Sequence, residues 1–333
     1  MAYTIYDYRR EGLPCPPQMV DNIFFDQASG RMFLILPRRL VVFFPRNGCI
    51  GRGGMGQVFL GKDYATGEQM AIKMVHARYA DIPEVRRRAR DEASHVFSHP
   101  NMIEMIGCAE SLTGTGPIYI VSKYVNGANI DDHLKLMNTA DPYDRQVKIV
   151  NMLMPVLSAL EYLHQKGITH LDIKPSNIMV QNGRNIRLMD LGIASVAQRT
   201  AEYSGSEPVD SSSGSGLAGT PKYAAPEQFN HSYGSVNQTS DIYEFAVTLY
   251  ELLSGINPFI ADTLDEALSK HVNEPLPRAA LITEPMLKVL RRAAHPNQSQ
   301  RYQSVAELRQ ALLAAAAERP GIMSKIKGIF NRK

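Results

Sequence analysis

The segment "GRGGMGQVFLGKDYATGEQMAIK", Gly51 to Lys73, constrains the fold more than any other part of the chain. Gly51, Gly53 and Gly56, with Val58 two places on, spell G-x-G-x-x-G-x-V. A glycine string of this kind serves a dinucleotide fold only when a helix follows at once, because the helix N-terminus then receives the pyrophosphate. Here "QVFLGKDYATGEQMAIK" alternates as strand, turn, strand. The glycines therefore belong to a β-hairpin whose backbone N–H groups can close over phosphates. Lys73, at the end of Ala71-Ile72-Lys73, supplies a cation one strand later. A strand-end lysine is ordinarily just a solvated side chain; the glycine string at this spacing reverses that reading.

Around this hairpin the chain divides by composition. Residues 1–45 hold "NIFFDQASGRMFLIL" and "LVVFFP", a β-rich extension. Residues 46–315 form the main domain, β-rich to about 121 with one helix in "PEVRRRARDEASHVF", and mostly helical from about 126, where apolar residues recur at three-to-four spacing. Residues 200–219 are rich in Ser and Gly and predict a mobile loop. Residues 316–333 are a basic tail that interleaves Ile322, Met323, Ile326, Ile329 and Phe330 with lysines. A disordered tail is expected there, the alternative being a weak membrane-surface or partner-binding helix.

With 333 residues and 44% hydrophobic content, the chain can bury a core large enough for two lobes. Its net charge of +3 gives no field to attract nucleic acid, and no such partner is expected. Three cysteines, without CxxC spacing, suggest neither a disulfide framework nor a zinc site. The N-terminus lacks the pattern of a signal peptide, and no apolar run approaches the ~20 residues that span a bilayer. A cytoplasmic protein is expected.

Three further stretches carry chemistry. "HLDIKPSNIM" places Asp172, Lys174 and Asn177 on one short loop: a base, a cation and an oxygen ligand. "MDLG" offers Asp190 as a hard-cation ligand. "GTPKYAAPE" spans Gly219 to Glu227. In this order, the four stretches resemble the eukaryotic-like serine/threonine protein kinases, and within them those of bacteria, over about residues 46–315.

The resemblance implies an α+β, bilobal protein-kinase fold and an ATP-dependent transfer of the γ-phosphoryl to protein serine or threonine, with Mg2+ as the ion and Mn2+ as an alternative. Protein substrates, including the chain itself, are implied as partners. Gly51, Gly53 and Gly56 would cover the phosphates, and Lys73 would hold them with Glu92 as its partner on the following helix. Glu92 is chosen over the Arg90 position because Val96 then fills the apolar site four residues on. Asp172 matches the catalytic base, Lys174 the cation on the transferring phosphoryl, and Asn177 and Asp190 the metal ligands. Thr220 would hydrogen-bond near Asp172. Adenine would meet Ser122 at the gatekeeper position, backbone at Lys123 and Val125, and the apolar walls Val58, Ala71 and Met179. Glu227, Arg301 and Asp241 match structural positions.

Leu171 replaces the arginine that many relatives carry before the aspartate, which suggests activity without activation-loop phosphorylation. Arg86, Arg87, Arg88 and Arg90 are expected on a solvated face, the alternative being a substitute phosphate site. The competing function is a catalytically silent kinase-fold scaffold; the presence of Lys73, Asp172, Asn177 and Asp190 favours activity.

Overall fold

The computed structural model describes residues 3–53, 56–94, 98–136, 141–190 and 221–318, without the side chains of 78, 84, 88, 91, 92 and 94. Thr220, the 200–219 loop, Val96 and the tail beyond Glu318 lie outside these residues, as does the side chain of Glu92, while residues 316 and 317 belong to the last helix rather than to a tail. The chain forms two compact units, the first ending at Asn126 and the second beginning at Gly127 among the described residues.

The first unit opens with a short helix, α1 (Ile5–Arg10), that the sequence reading does not anticipate. Thr4 caps it: its hydroxyl accepts the Asp7 N–H, and the Asp7 carboxylate accepts the Thr4 N–H at 2.9 Å. Strands β1 (Ile23–Asp26), β2 (Arg31–Leu36) and β3 (Arg39–Phe43) follow. Then come β4 (Cys49–Gly53), β5 (Gly56–Asp63) and β6 (Gln69–Val75), the helices α2 (Ala77–Ala80) and α3 (Pro83–Ser94), and β7 (Met105–Ala109) and β8 (Ile118–Lys123).

All eight strands join one antiparallel sheet in the order β1-β2-β3-β5-β6-β8-β7, with β4 also on β5. The N-terminal strands are thus part of the same sheet as the glycine hairpin. Leu34, Leu36, Val41 and Phe43 share a buried cluster with Phe59, Met70, Ile72, Tyr119 and Val121. The alternate residues Phe33, Ile35, Leu40 and Val42 pack with Ile5, Tyr8 and Met19. Strands β2 and β3 are therefore covered on both faces, which explains their nearly continuous apolar sequence.

The second unit begins with β9 (Gly127–Asn129), α4 (Ile130–Lys135) and the long α5 (Pro142–Gln165). Strands β10 (Ile178–Gln181) and β11 (Asn185–Leu188) complete a three-stranded antiparallel sheet in the order β11-β10-β9. Then follow α6 (Pro226–Phe229), α7 (Gln238–Ser254), α8 (Leu264–Asn273), α9 (Glu284–Ala293) and α10 (Val305–Ala317). Helix α7 is nearly all buried, from Thr239 through Leu253 except Glu251, and is capped by Asn237 and closed by Gly255 at φ +82°. It is the post on which the loop containing Asp172 is built.

Candidate active site

In the first unit the register of the sheet sorts the expected nucleotide residues onto one face. Gly51 pairs with Val58, Val58 with Lys73, and Lys73 with Ile120. Two residues along, Leu60 pairs with Ala71 and Ala71 with Ser122. Cross-strand partners and residues two apart share a face. Val58, Ala71, Lys73 and Ser122 are all partly exposed, beside the buried Ile120, whereas the intervening Phe59, Ile72 and Val121 are core. An apolar floor with one cation at its end results.

The three glycines do different jobs. A side chain at Gly56 would meet the Met74 carbonyl oxygen at 1.9 Å, so this glycine is required by the neighbouring strand itself. At Gly53 nothing lies within 4 Å of such an atom, and at Gly51 only Val58 at 3.7 Å. Among the described residues the backbone at those two positions is open. At the end of β8, the Lys123 N–H is taken by the Glu104 carbonyl at 2.9 Å. Its ammonium pairs with Glu104 at 2.8 Å and Glu68 at 3.4 Å.

In the second unit the loop after α5 carries Asp172 in a buried setting, its side chain 7% exposed. Lys174 Nζ donates to Asp172 Oδ1 at 2.9 Å, and Asn177 Nδ2 donates to Asp172 Oδ2 and to its carbonyl, both at 2.8 Å. With its amide nitrogen on Asp172, Asn177 retains Oδ1 for a cation. The Met189 N–H donates to the Asn177 carbonyl at 2.9 Å, which brings the residue before Asp190 against the loop. His170 reinforces this join, its Nε2 lying 3.0 Å from the Met189 carbonyl and its Nδ1 accepting the Asp172 N–H at 3.3 Å. Burial pushes the His170 imidazole down from its ordinary pKa, consistent with a neutral ring in this bridge.

Two non-glycine residues here have left-handed backbones, Leu171 at φ +62° and Asp190 at φ +53°. Such conformations persist where the surroundings over-determine them. For Leu171 the cause is visible: its N–H donates to Asp241 Oδ1 at 2.8 Å, and its carbonyl faces Gln228 Nε2 at 3.5 Å. Asp241, fully buried on α7, also accepts the His170 N–H at 2.9 Å and contacts His164 Nε2 at 2.7 Å.

The segment after residue 220 is fixed as firmly. Arg301 places all its donors: two on Glu227 at 2.7 and 2.9 Å, and the rest on the carbonyls of Thr239, His295 and Pro296. Burial pushes the Glu227 carboxyl up, but Arg301 and Ser240 outweigh it and hold the group below its ordinary pKa. Glu227, Arg301 and Asp241 thus occupy the structural places expected of them. Lys222 pairs with Glu251 at 3.4 Å, and His271 Nε2 lies 2.8 Å from the Pro221 carbonyl.

Two residues of consequence escape sequence reasoning. Glu244, one turn after Asp241, accepts the Ile173 N–H at 2.8 Å; an acidic residue set between the apolar Ile242, Tyr243, Phe245 and Ala246 is the signal that could have found it. Arg86 corrects the expectation of a solvated arginine face: it is buried, and its guanidinium is spent on Glu110 and on the carbonyls of Ala80 and Gly116.

The glycine hairpin and Lys73 lie in one unit, and Asp172, Lys174, Asn177 and Asp190 in the other. A family model described as "Protein kinase domain" matches residues 44–323, and the chain belongs to that family. Among curated relatives it is 32% identical over 284 residues to the serine/threonine-protein kinase PknB of Mycobacterium leprae, covering 83% of this chain and 43% of that protein. A probable serine/threonine-protein kinase of Streptomyces coelicolor is 32% identical over 292 residues, 85% of this chain and 41% of that one. The chain therefore spans under half the length of these relatives. The PknI kinase domain of Mycobacterium tuberculosis, a solved structure, superposes with a TM-score of 0.59 at 22% identity, covering 92% of this chain and 100% of that chain. The fold is the α+β protein-kinase fold, and the family uses ATP and a divalent metal.

Proposed function

We propose that this chain is an active serine/threonine protein kinase, transferring the γ-phosphoryl of ATP with Mg2+ to hydroxyls of protein substrates. The observation that carries the reading is the loop in which Asp172 is held by Lys174 and Asn177. A carboxylate so placed can orient an acceptor hydroxyl and take its proton, while Lys174 lies close enough to steady charge on the group in transfer. Oxygen donors from Asn177 and Asp190 suit a hard divalent cation, and the residues present fit one. Such an ion, when bound, neutralises phosphate charge. Gly51 and Gly53 leave space for phosphates, Gly56 shapes the hairpin, and Lys73 supplies the opposing charge, with Glu92 as its proposed partner. Val58, Ala71, Ser122, Lys123, Val125 and Met179 are proposed to receive the adenine, and Thr220 to support Asp172. Three free cysteines support a reducing compartment, and we place the protein in the cytoplasm.

Label from radioactive ATP on serine or threonine of a generic protein acceptor, present with the wild type and at least about a thousandfold lower with Asp172→Ala, is the expected result. Nucleotide binding without transfer would turn the reading towards a scaffold.

A further inference from the structure

Glu110, just past β7, is gripped from two directions. Its carboxylate accepts Arg90 Nε at 2.5 Å and a second Arg90 donor at 2.9 Å, and also Arg86 at 2.7 Å; both arginines belong to α3. Its carbonyl accepts the side-chain amide of Asn22 at 3.1 Å. Asn22 is buried and woven into the N-terminal layer: its side-chain oxygen accepts the Ile5 N–H at 2.7 Å, and its carbonyl accepts the Ile35 N–H at 2.8 Å. The preceding Asp21 accepts the Ser111 hydroxyl at 2.6 Å and the Leu112 N–H at 2.8 Å.

Residues 110–112 are therefore fixed by the N-terminal layer on one side and by α3 on the other. Arg86 extends the grip, because the same guanidinium also binds the carbonyls of Ala80 at the end of α2 and of Gly116. Arg86 is buried, Glu110 is mostly covered and Arg90 is half exposed; ion pairs in such settings add little net stability compared with apolar packing, so the cluster is better explained by the geometry it enforces. The two arginines outweigh the effect of burial and hold the Glu110 carboxyl below its ordinary pKa, ionised and paired.

We propose that Glu110 is a positioning residue for phosphoryl transfer, linking the N-terminal layer through Asp21 and Asn22 to α3 and so placing the helix that carries Glu92. The inference rests on the kinase reading above and deepens it: residues 5–43 are a brace for α3. A helix free to shift by an ångström would leave strand-borne nucleotide contacts intact while misplacing the group that orients Lys73.

The test uses the full chain with Glu110→Gln and, separately, Asp21→Ala, which leaves Glu110 and both of its arginines in place. Amide hydrogen exchange is read over residues 83–94, with residues 238–254 of the other unit as the control for global stability. Both variants are expected to speed exchange over 83–94 by about tenfold without moving the control. They should lower kcat about 10- to 100-fold while KM for ATP changes less than about threefold. Arg90→Lys should retain more activity than Arg90→Ala. Unchanged exchange over 83–94 in an active protein would overturn the link, and so would faster exchange with an unchanged kcat. A wild type that transfers no phosphate, yet shows the exchange response, would overturn the kinase reading and the positioning role while leaving the mechanical link.

Discussion

At the scale of single residues, the loop around Asp172 depends on two acidic side chains one turn apart on α7. Asp241 takes the N–H groups of His170 and Leu171, and Glu244 takes that of Ile173. Thr248, a further turn on, donates to the Ile173 carbonyl at 2.8 Å. Burial pushes the Glu244 carboxyl well above its ordinary 4.5, and the neighbouring Asp241 and Asp172 add to the rise. Burial thus favours the protonated form of Glu244 in the fold. A folded-state pKa raised above the unfolded one means that the associated stability is complete below about pH 4.5 and declines as pH rises. Glu244→Gln, which keeps the acceptor and cannot ionise, should melt like the wild type near pH 4 and progressively higher than it towards pH 8. Melting curves across that range check this, and a constant difference would count against the neutral carboxyl. Glu244→Leu strands the Ile173 N–H at a cost of about 1–3 kcal/mol and should lower kcat by loosening Asp172.

At the scale of elements, α8 is tied to α7 and to the chain at Pro221 by one imidazole. His271 lies against Phe259 at 4.2 Å and accepts the Tyr243 hydroxyl through Nδ1 at 2.7 Å, while its Nε2 meets the Pro221 carbonyl. Burial pushes its pKa down from 6.5 to about 4. The unfolded chain therefore binds a proton that the folded chain refuses between those values, and stability falls as pH drops through that window, by roughly 3 kcal/mol at most. His170 shifts in the same direction. Urea unfolding from pH 7 to 4 should show this loss, and His271→Gln should flatten the slope; an unchanged slope would remove His271 as its source. What the sequence revealed and what it hid divide along the same line. The glycine hairpin, Asp172, Lys174, Asn177 and Asp190 were legible because their chemistry demands particular residue types at short spacing. The long helices were legible from their periodicity. Helix α1 is too short for periodicity, and the partners of Arg86, Tyr243 and Ile173 lie 24, 28 and 71 residues away, distances at which no local pattern announces a contact.

At the scale of the whole molecule, the question is whether the first 43 residues are an attachment or part of the protein's minimum. Leu34, Leu36, Val41 and Phe43 are each 2% exposed or less and share a cluster with the strands of the glycine hairpin. Burying a side chain of this size contributes roughly 1.5–3 kcal/mol, so these four alone supply about 6–12 kcal/mol. That is comparable to the entire stability of an ordinary domain, about 5–15 kcal/mol. Removal would also strip β5 of its pairing with β3 at Gly61, Lys62 and Asp63, leaving an unpaired edge beside exposed apolar surface. A chain beginning at residue 44, where the family match starts, should therefore lose the first unit's cooperative fold. The second unit keeps its own core around α5 and α7. Limited proteolysis gives the readout: rapid cleavage within residues 44–126 of the truncated chain, with a resistant fragment covering the second unit, is expected. Equal resistance of both units to that of the full chain would show that the layer is dispensable to the fold, and its contact with Glu110 would then be its remaining role.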